Sequence, residues 1–170
     1  MLNAGIAGSL THRWVEAYVH LRERFQPDLV LAVFFLRDGT ELEKATAPIV
    51  AAEKRRIAED PLARISVAYR YHLERRAAID IGGKLERFFV DSYVGSPEDT
   101  AEWARAQTNL MTLRRIAAAD GARFGIAVFP LLYGLESDPY PFEPIMQALE
   151  RFCAANGIPH LSLLPAFRGR

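Results

Sequence analysis

The chain has 170 residues, half of them apolar, which is enough for one globular domain with a substantial core. Lysine plus arginine and aspartate plus glutamate balance at 21 each, which argues against a nucleic-acid binder, whose footprint is a net basic face. A single cysteine excludes an internal disulfide and a multi-cysteine metal site. Met1 to Gly8 have neither the basic start nor the apolar core of a signal peptide. No apolar run approaches the roughly 20 residues that a bilayer span needs. Composition predicts a soluble α/β domain and leaves the compartment open.

Residues 1–8 are small and glycine-rich and read as a loop leaving a strand. Ser9 or Thr11 caps a helix whose apolar positions Leu10, Trp14, Tyr18, Leu21 and Phe25 recur at spacings of three and four, and Pro27 stops it. Leu29 to Leu36 is a continuous apolar run that ends in Arg37-Asp38-Gly39. It reads as a strand of a parallel sheet, buried on both faces. In open α/β sheets, chemistry gathers at the carboxyl ends of the strands, which is where Arg37 and Asp38 fall.

Thr40 to Ile81 is helical in character. Thr46 and Pro48 suggest a cap with proline in the first turn, and Asp60-Pro61 a break. Leu62, Ile65, Ala68 or Tyr69, His72 or Leu73, and Ala77 form a second stripe that ends at Gly82-Gly83. Glu53 to Arg76 carries seven basic residues against four acids. It reads first as a solvated face; its sharper reading is a lid with Tyr69, Tyr71 and His72 facing a cleft. Leu85 to Val94 is aromatic and irregular.

Ser96-Pro97-Glu98-Asp99 starts a helix whose buried stripe is Trp103, Ala106, Leu110, Leu113 and Ala117, with Gly121 ending it. Phe124 to Phe129 is a strand, and Leu131 to Leu135 leave its carboxyl end as a loop. A further helix buries Phe142, Ile145, Met146, Leu149 and Phe152, with Cys153 on it as a small apolar residue. His160 to Leu164 is a last short strand. The alternation predicts a parallel, doubly wound sheet with helices on both faces, although three strands are few for such a domain.

Asn3-Ala4-Gly5-Ile6-Ala7-Gly8 is a glycine-rich turn before a helix. It lacks the third glycine of a dinucleotide fingerprint and the Gly-Lys-Ser/Thr ending of a P-loop, and by spacing it is a tight turn. In order, Asn-x-Gly-x-x-Gly, an amphipathic helix, Pro27-Asp28-Leu29-Val30 and Arg37-Asp38-Gly39 resemble the SGNH (GDSL-type) hydrolase family. Ile126 to Leu132, Tyr140-Pro141-Phe142 and Gly157 to Phe167 resemble that family's later strands and its approach to the last catalytic block. Nearly the whole chain is covered.

The resemblance implies a three-layer flavodoxin-like parallel sheet, incomplete at both ends. It implies a single domain over 1–170 with a helical insertion at about 40–95. The implied activity is hydrolysis of a carboxylic ester or acetyl group through a serine acyl-enzyme. The substrate would be a small-molecule ester or an acylated carbohydrate, with no metal or organic cofactor.

Gly8 matches the oxyanion glycine. Arg37 stands where the family has asparagine, Asp38 matches the aspartate after it and holds the turn, and Leu131 and Tyr133 line the cleft. No Gly-Asp-Ser block precedes Gly8 and no Asp-x-x-His block follows Pro165. Ser9 sits better as a helix cap than as a nucleophile, because no complete strand leads into it. His12, His20, His72 and His160 lie outside the histidine block. The chain is therefore expected to be the middle of such a domain or a degenerate relative, inactive by itself. The alternative is a non-catalytic SGNH-like binding or interaction module.

Overall fold

The computed structural model describes residues 3–5, 10–40 and 42–169, and only the backbone of 42–45. Gly8 and Ser9 lie outside the described residues. Two compact units divide the chain, one of residues 1–40 with 90–170 and the other of Glu41–Phe89.

The first unit is built on a parallel sheet of three strands, β1 (Leu29–Phe35), β2 (Arg123–Phe129) and β3 (His160–Ser162), side by side in that order. Phe35 of β1 lies beside Phe129 of β2, and Val128 beside Ser162 of β3. Three helices pack on one face: α1 (Thr11–Phe25), α5 (Ala101–Ala119) and α6 (Glu143–Ala155). Phe34 takes the Trp14 ring of α1 and the Trp103 ring of α5 edge-on, and Trp103 meets Phe152 of α6. The chain is thus mixed α/β and mainly helical.

β1 departs from the expectation of a strand shielded on both faces. Ala32, Phe34 and Leu36 are buried, whereas Leu29, Leu31, Val33 and Phe35 are exposed, as is Leu161 of β3. A continuous apolar run has no period of its own, so it cannot reveal that only alternate residues are covered. The helices of this unit cover one face where a doubly wound sheet has them on two. On the other face the short helix α7 (Leu164–Arg168) brings Phe167 against Phe129.

Local chemistry explains the helix limits. Gln26 ends α1 in the left-handed region, at φ 41°, immediately before Pro27. Thr11 is the first helical residue of α1 rather than its cap, and its buried hydroxyl accepts a hydrogen bond from Asn109 Nδ2 at 3.0 Å. Before α5, Ser96 and Asp99 cap each other: the Ser96 N–H and hydroxyl both donate to Asp99 Oδ2, while Ser96 Oγ accepts the Asp99 N–H. The stripe of α5 is buried at all five expected positions. Asp120, a carboxylate at the unfavourable end of the helix dipole, is compensated by Tyr18 at 3.0 Å and Arg22 at 3.2 Å from α1. Cys153 is fully buried on α6, and burial pushes its thiol up to about 11.

The second unit is helical: α2 (Leu42–Glu59), α3 (Pro61–Ile65) and the greater part of α4 (Val67–Val94). Pro48 lies inside α2 instead of in its first turn. Asp60 caps α3 by accepting the Leu62 and Ala63 N–H groups. A small core of Ile57, Ala63 and Ala77 has Tyr69 and Leu73 packed on it. Leu62, Ile65, Ala68 and His72, expected on that stripe, are exposed, and so is Tyr71, expected to face a cleft with Tyr69 and His72. The reason is a break in the helix at Ser66, which resets the phase so that Ala63 takes the inward place. Gly82-Gly83 do not end the second stripe, and Leu85 to Val94 are helical, because α4 runs through the pair. Among the described residues no helix is long and apolar enough to cross a membrane.

Two stability predictions follow from this packing. Phe34→Ala removes a fully buried ring and is expected to cost about 3–5 kcal/mol in urea unfolding, whereas Phe35→Ala on the open face costs less than about 1.5 kcal/mol. Equal losses would contradict one-sided burial of β1. A Cβ at Gly82 or Gly83 meets nothing within 4 Å. Each Gly→Ala change is therefore expected to stabilise by about 0.5–1 kcal/mol in thermal unfolding, and a loss at both would contradict a continuous α4.

Candidate functional site at the carboxyl ends of the strands

β1 leaves the sheet through a single 3-10 turn over Leu36–Gly39. Leu36 is fully buried and anchors the turn, Arg37 is exposed, and Asp38 is half-buried. Asp38 Oδ2 accepts the Phe35 N–H at 2.8 Å. The direction of that bond follows from the ladder. The Asp28 carbonyl accepts the Arg123 N–H, so even-numbered backbone groups of β1 face β2 and odd-numbered ones face the free edge. Asp38 thus satisfies the last N–H of an edge strand.

Burial pushes the Asp38 carboxyl up to about 6, outweighing the Phe35 hydrogen bond and the charge of Arg37, which both lower it. Tyr93, in the last turn of α4, closes the buried side of the turn. Its hydroxyl donates to the Leu36 carbonyl, and the Gly39 N–H reaches its oxygen. Burial raises the Tyr93 phenol well above its usual range, and the Asp38 charge raises it further. Gly39 is required here because a Cβ would stand 2.7 Å from Tyr93 Cζ. Beside it, Thr40 Oγ1 donates to Ser92 Oγ at 3.4 Å, both residues being buried.

The neighbouring strand ends at the same edge. Leu131 is half-buried, and its carbonyl accepts the Tyr140 hydroxyl at 2.8 Å. Burial holds the Tyr140 phenol up to about 12. Tyr133 is exposed, with its ring 6.3 Å from that of Phe142. Arg168 of α7 donates to the Ser137 carbonyl at 3.0 Å and lies 3.8 Å from Asp138, tying α7 to the loop after β2. Phe35, Phe129 and Phe167 form an aromatic row, with ring centroids 4.7 and 4.9 Å apart.

The structure therefore brings Arg37 and Asp38 to one sheet edge with the loop that carries Leu131 and Tyr133. Gly8 lies outside the described residues. Reading the sequence missed Tyr93 and the aromatic row. The signal for Tyr93 was Gly39, a glycine next to a half-buried aspartate, which marks close approach by another element. His160 begins β3 at the opposite, amino-terminal end and is exposed, and His12 and His20 are exposed on α1. Ser162 Oγ accepts the Leu164 N–H at 3.4 Å. Among the described residues no cluster of His, Cys, Asp and Glu is placed to hold a metal. A groove lined by Met111, Arg115, Phe152 and Asn156 lies on the helical layer, away from these strand ends.

An exposed guanidinium beside a half-buried carboxyl, with aromatic surface at the same edge, suits the binding of a carbonyl or carboxylate oxygen attached to an apolar group. No protein-family model, curated protein or solved structure matches the chain.

The Asp38 carboxyl makes a pH prediction. Its folded value of about 6 lies above its ordinary 3.8, so the folded state holds this proton more tightly than the unfolded chain. The stabilisation is complete below about 4 and is lost as pH rises through about 6. Asp38→Asn keeps an acceptor for the Phe35 N–H and removes the titration. The rise in Tm of the wild type between pH 7.5 and pH 5, measured relative to Asp38→Asn, is expected to be positive. A flat or negative difference would show that the carboxyl is not desolvated.

Proposed function

We propose that the chain forms the oxyanion side of an SGNH-type ester hydrolase fold, and that on its own it binds an acyl ester without cleaving it. The observation that carries this reading is the Arg37-Asp38 turn: Asp38 fixes the end of β1 through the Phe35 N–H and leaves Arg37 exposed at the strand tip. The order of motifs along the chain supports the family part of the reading. In this reading the sheet belongs to a three-layer flavodoxin-like domain. The free edge of β1 receives a serine-bearing strand, and the open face receives further helices.

The chemistry is that of serine acyl transfer. A serine hydroxyl, relieved of its proton by histidine, attacks the ester carbonyl, and the carbonyl oxygen takes up negative charge. Arg37 and the Gly8 N–H donate to that oxygen. Expulsion of the alcohol leaves an acyl-enzyme, which water then hydrolyses. Arginine in place of asparagine brings a full charge to the donor set, which strengthens the hold on the oxyanion and suits an ester that also carries an acidic group. Leu131 and Tyr133 contact the acyl or sugar part. The second reading, a binding module without catalysis, is favoured by one observation: His160 stands at the opposite, amino-terminal end of the sheet and is exposed.

The test is p-nitrophenyl acetate hydrolysis by the chain alone and by the chain carried into its flanking coding sequence. The chain alone is expected to show no turnover above buffer. In the extended protein turnover is expected, and Arg37→Ala is expected to lower kcat roughly a hundredfold. Flanking sequence without a Gly-Asp-Ser block upstream and an Asp-x-x-His block downstream, together with no turnover, sinks the hydrolase reading. Chemical-shift changes at Arg37–Thr40 on adding an acylated sugar would then support the binding module, and none would remove it too.

A further inference from the structure

The break between α3 and α4 turns four large apolar side chains into solvent. Ile65 is 81% exposed, Val67 72%, Tyr71 65% and Leu62 56%. They are not the loose edge of an unfinished core, since the inward places are filled by Ala63 and Ala77 against Ile57, with Tyr69 and Leu73 packed on them. The backbone beneath them is held at every step. Asp60 Oδ1 accepts the Leu62 and Ala63 N–H groups at 2.8 and 3.1 Å, Arg64 Nε donates to the Ala58 carbonyl at 3.0 Å, and Ser66 Oγ accepts the Tyr69 N–H at 3.3 Å. The corner therefore presents its apolar side chains in a fixed arrangement.

Its charge is net basic. Arg64, Arg70, Arg75 and Arg76 are all exposed, against the carboxylates of Asp60 and Glu74 over the same stretch. Asp60 is engaged in capping, and Glu74 reaches Arg70 only at 3.9 Å. On α4, Val67, Tyr71 and Arg75 follow at spacings of four, so an aliphatic residue, an aromatic residue and a cation share one face.

We infer that the α3–α4 corner is an anchor that docks on an anionic lipid surface. Leu62, Ile65 and Val67 enter the boundary between headgroups and acyl chains, Tyr71 lies at headgroup depth, and the arginines meet lipid phosphates and carboxylates. A bilayer fits this mixture of side chains: a fluid layer accepts a few protruding apolar residues, and anionic headgroups complement the exposed arginines beside them. Phosphates of a nucleic acid would meet the arginines but leave the apolar tip in water. The inference stands on the Glu41–Phe89 unit and does not rest on the ester reading.

The experiment is co-sedimentation of the full chain with vesicles of phosphatidylcholine alone or of two parts phosphatidylcholine to one part phosphatidylserine. The chain is expected to sediment with the mixed vesicles, to stay in solution with the neutral ones, and to be released by high salt. The double variant Ile65→Asp with Val67→Asp, its circular dichroism and Tm unchanged because both sites are exposed, is expected to bind at least about tenfold more weakly. Arg70→Ala and Arg75→Ala are each expected to weaken binding about fivefold. Failure to sediment with the mixed vesicles overturns the inference. So does equal binding by the double aspartate variant, or equal binding to neutral vesicles. A concentration-dependent dimer that the aspartate variant abolishes, with no vesicle binding, overturns it in favour of a second copy.

Discussion

Phe34 is fully buried, with the indole rings of Trp14 and Trp103 meeting it edge-on at 6.1 and 6.0 Å. Side chains alternate along a strand, so fixing one residue decides the face of every other. With Phe34 inward, Ala32 and Leu36 follow it, and Leu31, Val33 and Phe35 must face out. The Trp103 ring carries the same constraint further, meeting Tyr93 at 5.0 Å and Phe152 at 5.5 Å. The first and fifth helices, the sixth, and the last turn of the fourth are thus referred to one phenyl ring.

The same alternation fixes the backbone. With the even-numbered groups of β1 spent on β2, the Phe35 N–H points to the free edge, and Asp38 is three residues away to take it. The carboxyl is held there although burial works against its charge and outweighs Arg37 beside it. Tyr93 completes the arrangement from the buried side and leaves no room for a side chain at Gly39. A carboxyl whose value is raised to about 6 at a strand tip, with an exposed arginine before it, is the kind of perturbed group that functional sites collect. This shift has its physical origin in burial and stands independently of any family likeness.

How much of this was legible in the chain depends on whether the signal had a period. The stripe of the fifth helix was readable residue by residue, because Trp103, Ala106, Leu110, Leu113 and Ala117 carry the helical repeat and Ser96 with Asp99 announces its start. The strand Leu29–Phe35 was readable as a strand, but its one-sided burial was not, since an unbroken apolar run looks the same in either case. Gly82-Gly83 looked like a stop, yet propensity is a weak prior of about 1 kcal/mol per glycine and the flanking helical residues override it. The seventh helix is a single short element that packs Phe167 on Phe129, a contact set by the sheet and invisible to local pattern. Arg37 and Asp38 were found because a charged pair closing an apolar run marks a strand tip. Tyr93 was missed because its partner is fifty-seven positions away.

Parallel sheets rarely leave a face bare, and an unprotected edge is an invitation to pairing. β1 has both features: an open face of Leu29, Leu31, Val33 and Phe35, and an edge whose odd-numbered backbone groups point away from β2. Asp38 changes what that edge can accept. It occupies the Phe35 N–H and leaves those of Leu31 and Val33 for a partner, so a strand laid alongside β1 pairs with its middle and loses its partner groups before the tip. A parallel neighbour would then leave the sheet level with Phe35, and its exit loop would fall beside Arg37 and Asp38. The carboxylate that holds the turn is thus also the group that ends any ladder on this edge before the strand tip.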